Sequence, residues 1–342
     1  MKLYEITIQP MAGFGTALKG DTFFGHFCWQ VARDPSLLNG GFEKHMAIYP
    51  EEPFIVFSSA FPKLVNSVTS YVLKRPDLPI FSLLSSEVKD RKERILEAKE
   101  LKKRKWMLLE GELTIDLPRV KFLSDDELLM IVSKQATFQT KRQMRKVGLK
   151  KFITILTQPH NTINRSTQTT GTGQFAPYIQ KIFHYYPETE LVIFVLFNES
   201  VTDIERLLLA MERIGKWGFG KDASIGMGRF KLGKHKELPL PKRGNANACY
   251  VLSPSVPQIN CFSEAYFKPF IRFGKHGDSL AHSGNPFKNP VIMADEGAVF
   301  MPLNESFFNK PYLGKGISGV SKSLPETMVQ GYAPYLPIRV EK

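Results

Sequence analysis

The sequence predicts an α+β fold, and three observations carry that expectation. Residues Lys2 to Gln9 alternate, with Tyr4, Ile6 and Ile8 on one face and Glu5, Thr7 and Gln9 on the other, the pattern of a half-buried strand. Glu190 to Phe197 ends in LVIFVLF, an apolar run that suits a strand buried on both faces. Ile204, Leu207, Leu208, Met211 and Ile214 recur at helical spacing and form one apolar stripe.

Taken in order, the elements extend this pattern. After the first strand, Gly13, Gly15 and Gly20 make a loop. Asp21 is placed to cap a helix that runs to Arg33, and Pro35 stops it. Phe23, Phe24, Phe27, Cys28 and Val31 form its apolar face, and Thr22, His26, Gln30 and Arg33 its polar one. Pro53 to Phe61 reads as a second strand. Residues 62–88 are irregular, and Lys89 to Lys105 mixes nine basic with four acidic residues, the pattern of a solvated helix face. Lys134 to Lys151 holds seven basic residues and no acidic one. Together, residues of about 62–176 read as a long basic insertion, partly helical, projecting from the first domain. The core pattern resumes at Pro177, with strands at Tyr178–Tyr186 and Glu190–Phe197. Thr202 followed by Glu205 reads as a capping box, Gly215 suits the position after the helix, and Gly228 to Lys236 reads as a closing strand. The order is β-α-β-β-α-β, the ferredoxin-like arrangement of RNA-recognition (RRM-like) folds. This first domain covers 1–240, with a glycine-rich loop at 215–228. Residues 238–248 suit a linker, and 249–342 form a second, β-rich domain with short segments such as Tyr266–Phe273 and Gly297–Met301. That domain has room for a degraded second unit of the same kind.

Composition bounds the function. The 342 residues are 43% hydrophobic, ordinary for a globular chain. A net charge of +13 points to a polyanionic partner, nucleic acid before an acidic protein and membrane last. Cys28, Cys249 and Cys261 form no C-x-x-C pair, which suits a reducing cytoplasm and no zinc knuckle. The start, MKLYEITIQP, lacks a signal-peptide pattern, and no apolar run is long enough to span a bilayer.

Three constellations suit RNA. The run GKWGFGKDASIGMGRF places Gly215, Gly218, Gly220, Gly226 and Gly228 beside Lys216, Lys221 and Arg229. Glycines permit positive φ, and amides exposed that way beside cations can hold phosphate oxygens; the same glycines would also serve tight turns. The run is not a dinucleotide fingerprint, because it follows a helix, and not a Walker A motif, because Asp222 follows Lys221. The loop HNTINRSTQTTGTGQFAPY, His160 to Tyr178, gathers hydroxyls and amides with Arg165 and Phe175, a surface suited to ribose, phosphate and a splayed base. Lys141, Arg142 and Arg145 share one helical face, and each phosphate contact would steepen the salt dependence of single-strand binding by roughly 0.7. Phe138, Phe152 and Phe175 are candidate wedges between nucleotides, and Tyr312, Tyr332 and Tyr335 candidate interface aromatics.

Catalytic signals are sparse. His26 on the first helix is counted among the candidate RNA contacts, and is also positioned as the base of a metal-independent ribonuclease, the alternative function. His276, Asp278 and His282 lack a third ligand cluster, so no metal and no cofactor is expected. Asp34 has no carboxylate partner, and Asp125 and Asp126 suit a helix start.

GDTFFGHFCW, HNTINRSTQTTGTGQFAPY, GFGKDASIGMGRF and YLGKGISG…VQGYAPYLP, in this order, resemble the Csm-type fourth subunit of type III-A CRISPR interference complexes, of the RAMP superfamily. The resemblance implies tandem ferredoxin-like domains, the second degraded, and a non-catalytic subunit without a small-molecule substrate. It implies a grip on the 5′ repeat-derived handle of the guide RNA, between the large polymerase-like subunit and the backbone RAMP subunit. The motif match carries RNA contact to Asn161, Arg165, Thr170 and Phe175, and to Gly218, Gly220, Lys221, Gly226, Gly228 and Arg229. Ser166-Thr167-Gln168 departs from the family pattern of an apolar residue followed by Thr and Gly.

Overall fold

The computed structural model describes residues 1–65, 67–84, 90–148 and 151–341. Strand β1 (Lys2–Pro10) leads to α1 (Gly20–Arg33), α2 (Phe42–Ile48), β2 (Ile55–Val65), β3 (Thr69–Lys74), α3 (Arg91–Lys103), β4 (Trp106–Glu110) and β5 (Lys121–Leu123). Then come α4 (Asp125–Gln135), α5 (Phe138–Val147), β6 (Ile153–His160), β7 (Tyr178–Tyr185), β8 (Glu190–Phe197), α6 (Ile204–Trp217) and β9 (Phe230–Leu238).

Seven strands make one antiparallel sheet in the order β5-β4-β3-β2-β8-β1-β9. Within it, β1-α1-β2 and β8-α6-β9 interleave so that β9, β1, β8 and β2 are neighbours, the strand order of a ferredoxin-like unit. The apolar stripes explain this. Phe23, Phe24, Phe27 and Val31 of α1 and Leu207, Met211 and Ile214 of α6 are buried in one core with Ile6, Ile8, Phe57, Ile193 and Val195 of the sheet. Each such side chain contributes about 1.5–3 kcal/mol by leaving water. Gly20 has no room for a Cβ, which would strike the Phe57 carbonyl, so only glycine lets α1 start so close to β2.

Several local expectations are corrected. Asp21 does not cap α1; Lys19 holds that position, and Asp21 instead accepts from Arg272 Nη2 at 2.8 Å. Asp203 rather than Thr202 caps α6, accepting from the Arg206 amide at 2.9 Å, while Thr202 donates to the Leu37 carbonyl. Gly215 lies inside α6, where a Cβ would strike the Phe230 carbonyl, and the helix ends at Gly218 with φ 109°. The stretch expected to be a projecting insertion is divided: β3, β4 and β5 widen the central sheet, and only part of it stands apart. Tyr178–Tyr185 does not rejoin that sheet; it pairs with β6 as a separate two-stranded arm.

The C-terminal residues form β10 (Ala248–Val251), β11 (Phe262–Tyr266), β12 (Pro269–Arg272), β13 (Val291–Ala294), β14 (Val299–Pro302), β15 (Tyr312–Gly314) and β16 (Tyr332–Ile338). Five of these make an antiparallel sheet in the order β11-β14-β10-β16-β15, and β12 and β13 a ribbon. Among the described residues their connections hold 3-10 turns and no α-helix. The two parts are knitted at an irregularity in β2. Fully buried Gln330 accepts from the Phe57 amide at 2.9 Å and donates to its carbonyl at 2.8 Å, while the Ser59 amide donates to the Leu252 carbonyl. Lys19 also reaches across, donating to Glu296 at 2.6 Å, and Lys74 donates to Asp295 at 2.9 Å. No helix among the described residues is long and apolar enough to cross a membrane.

Candidate nucleic-acid interface

The glycine run forms a tight knot at the foot of α6. Gly218, Gly220, Gly226 and Gly228 all have positive φ, which explains the residue type. Their amides, however, are already used. Gly218 donates to the Ile214 carbonyl, Gly226 to Ala223 and Gly228 to Gly13, while Phe219 donates back to Gly228. Gly220 donates to His26 Nε2 at 2.8 Å, and Lys221 to Thr16 Oγ1 at 3.0 Å. The expected amide cradle for phosphate is therefore corrected: these four glycines shape a joint and have no free donor to offer. The knot is anchored by Phe219, fully buried and packed on Phe23 and Phe14. Lys221 and Arg229 are exposed, the former 3.8 Å from Asp222, and they share the solvent face of the knot with exposed Trp217 and Ile225.

His26 belongs to this joint. Its ring stacks on Phe219 at 4.9 Å and its Nε2 lone pair takes the Gly220 amide. Burial, helped by the Lys288 ammonium alongside, pulls the imidazole down to about 4. It is neutral at pH 7 with the proton on Nδ1, and its Nε2 is occupied by the Gly220 amide.

The β6–β7 arm rises from the joint. Gln180 of β7 donates to Asp222 of the knot, and Phe183 pairs its backbone with Phe14 at 2.9 Å in both directions. Eight cross-strand pairs, Ile153↔Tyr185 to His160↔Tyr178, give a ribbon roughly 23 Å long. Its tip is the 161–177 loop, the polar motif read from the sequence. Asn161 and Arg165 are exposed there, Thr170 and Phe175 half-buried. Backbone bonds order the tip: the Asn164 amide donates to Thr169, and Gly171 to Phe175. Gln168 takes a positive φ of 55° in the turn where the sequence departs from the family pattern.

Helix α5 is tied to the arm's root through Glu188, which accepts from Thr137 and Thr140; it is capped by Thr137 and ended by Gly148 in the left-handed conformation. Arg142 and Arg145 are exposed, and Lys141 is tied to the Lys134 carbonyl at 2.9 Å. Among the described residues no hydrogen bond or ion pair joins α5 to the arm tip, so the predicted site residues fall into three clusters: knot, tip and α5.

No family model and no curated protein matches this sequence. Solved structures do match its fold. A chain of a Csm1–Csm4 cassette in complex with pppApA aligns with a TM-score of 0.54 at 15% identity, covering 100% of both chains. A chain of a Csm3–Csm4 subcomplex of the type III-A CRISPR-Cas interference complex gives 0.54 at 14% identity, over 99% of this chain and 100% of that one. A Csm1–Csm4 cassette in complex with cA4 gives 0.53 at 15% identity with full coverage. The fold is one found in type III-A CRISPR interference complexes. Csm4 is the component named in all three, which agrees with the resemblance read from the four motifs.

Several other candidates are placed elsewhere. Phe152 is buried between Trp106 and Tyr185, so it cannot wedge between bases, whereas Phe138 is 78% exposed at the start of α5. Tyr332 and Tyr335 are buried and bond the Pro50 and Lys310 carbonyls, which removes them as interface aromatics; Tyr312 is half-buried. Asp34 pairs with Arg213 at 2.7 Å. His276 is buried on Ser321, and no metal-holding cluster is found among the described residues. Sequence reasoning missed Lys288, which the β12–β13 ribbon brings beside His26 and Cys28. Burial pulls its ammonium down and pushes the Cys28 thiol up to about 12. No local signal marks it, because the pairing spans the length of the chain.

Proposed function

We propose that this chain is a non-catalytic RNA-binding subunit of a type III-A CRISPR interference complex. It caps the guide RNA at the 5′ repeat-derived handle and bridges the large polymerase-like subunit to the backbone RAMP subunit. One observation carries the reading: the fold matches, end to end, chains from assemblies that pair Csm4 with Csm1 and with Csm3. The +13 charge and the exposed cations on knot, tip and α5 support RNA as the ligand. The contacts then run through the side chains of Arg165, Lys221, Arg229, Arg142 and Arg145 rather than through glycine amides. The occupied Nε2 of His26 argues against the ribonuclease alternative.

Co-expression with the large and backbone subunits, followed by mobility shift on a handle-bearing RNA, tests this. Changing Arg165, Lys221 and Arg229 together to Ala is expected to lower the log–log salt slope by roughly 2. Unchanged affinity and slope remove the site. Cleavage of repeat RNA in EDTA that His26→Ala abolishes would replace the reading with the enzyme.

A further inference from the structure

Helix α4 changes character along its length. Its first turn, with Asp125, Asp126 and Glu127, lines one cavity of about 380 Å³ together with Glu100. Its last two turns line another of about 380 Å³, shared with α5, whose lining holds no carboxylate; the neighbouring Glu188 is occupied by the hydroxyls of Thr137 and Thr140. Met130 and Met144 wall it, and buried Tyr186 closes the floor. Lys134, Lys141 and Arg145 form its rim. Met130 is 58% exposed, an apolar side chain presented to solvent in a groove shared with three cations.

We propose that this α4–α5 groove seats one nucleotide of single-stranded RNA, the base between the two thioethers and its phosphates on Lys134 and Arg145. This rests on the RNA-binding reading and adds a site that none of the sequence motifs marks. The volume lies at the small end of ligand sites, enough for one flat group and too short for the run of anchors an amphipathic helix needs. Polarizable sulfur suits an aromatic face. Lys141, held on the Lys134 carbonyl at 2.9 Å, fixes the rim in place. Arg142 and Lys146, exposed on the same helix, continue the cationic path for the flanking phosphates.

The test uses the full chain and a fluorescently labelled oligouridylate 12-mer, read by anisotropy across salt. Ser133→Phe fills the groove without changing charge, since Ser133 lines it and bonds only the Met130 carbonyl. It is expected to weaken binding at least about five-fold with the salt slope unchanged, as for loss of one seated base. Lys134→Ala with Arg145→Ala is expected to lower the slope by roughly 1.4. If the charge pair matters and Ser133→Phe does not, α5 is a charged face without a nucleotide site and the proposal falls while the function stands. If the wild-type chain binds no oligouridylate, the groove proposal falls, and the function is decided by the handle-RNA assay on the co-expressed complex. Equal competition by poly-L-glutamate would assign the groove to acidic peptides instead. Should Ser133→Phe fail to fold by thermal melting, 4-thiouridine crosslinking of the unaltered chain decides. Crosslinks within 129–145 support the site, and crosslinks confined elsewhere overturn it.

Discussion

The glycine knot and the arm tip are both irregular, glycine-bearing loops beside cations, and they differ in where their polar groups point. In the knot, Gly218, Gly220, Gly226 and Gly228 all donate inward, and Phe219 beneath them is fully buried. At the tip, backbone bonds close the turns while Asn161 and Arg165 stand exposed. A donor already satisfied inside the protein gains little by exchanging partners, whereas an exposed guanidinium releases counterions when it meets a phosphate. The more glycine-rich motif therefore spends its amides on structure, while the less regular motif leaves its polar side chains open.

The sharpest way to break this contrast is a methyl group. A Cβ at Gly228 would collide with the Phe219 carbonyl and amide, backbone atoms that cannot swing aside, at a φ of 73°. Gly228→Ala is expected to cost at least about 3–5 kcal/mol and to lose soluble protein at 37 °C. Gly226, at φ 91°, has open space around its Cβ position. Gly226→Ala is expected to cost only the left-handed backbone strain, about 1–2 kcal/mol. Denaturant melts of the pair check this, and equal losses would show that packing is not what the knot provides.

A smaller effect follows from His26. Its folded pKa of about 4 lies below the ordinary 6.5, so the unfolded chain takes up the proton first as pH falls. Its stabilising share is complete above about pH 6.5 and is lost as pH falls to about 4, a change of at most about 3 kcal/mol. His26→Gln can still accept the Gly220 amide but does not titrate. It is expected to flatten the stability profile between pH 4 and 6.5 in thermal melts, and an unchanged slope there would release His26 from the joint. A separate loss lies at lower pH. Burial raises the Asp295 carboxyl, but Lys19 and Lys74 outweigh it and hold the group below the usual aspartate range, so the bridge between the two sheets weakens only as pH falls below about 4.

What the sequence disclosed was set by how local the signal is. The apolar run of β8 and the stripe of α6 need no distant partner and lie where periodicity puts them. Strand β1 also lies where its alternation puts a strand, but the expected half-burial is corrected, since Glu5 and Thr7 are buried too, Glu5 accepting from Lys63 and Tyr71. The pattern of β7 announced a strand but not its neighbour, and the neighbour is β6 rather than the core sheet. The strands β4 and β5 are too short, at five and three residues, to show a period against the charged helices around them. The glycines disclosed positive φ correctly; where the amides point depended on Gly13, Thr16 and His26, which no spacing rule connects to the loop. Gln330 and Lys288 act on β2 and α1 across most of the chain, so their roles were invisible before folding.

The smallest expected effect tests the contrast most directly. Arg165 is exposed and has no ion-pair partner among the described residues, so Arg165→Ala should leave folding stability within about 0.5 kcal/mol. It should lower the salt slope of RNA binding by roughly 0.7, the share of one phosphate. Lys221 is partly neutralised by Asp222 at 3.8 Å, so Lys221→Ala should lower that slope by less. The two slopes, measured on the same handle-bearing RNA, rank tip against knot without reference to folding. If Lys221→Ala proves the larger, the phosphate meets the knot after all, through the exposed Lys221 ammonium rather than the internally bonded amides, and the tip becomes a surface for protein.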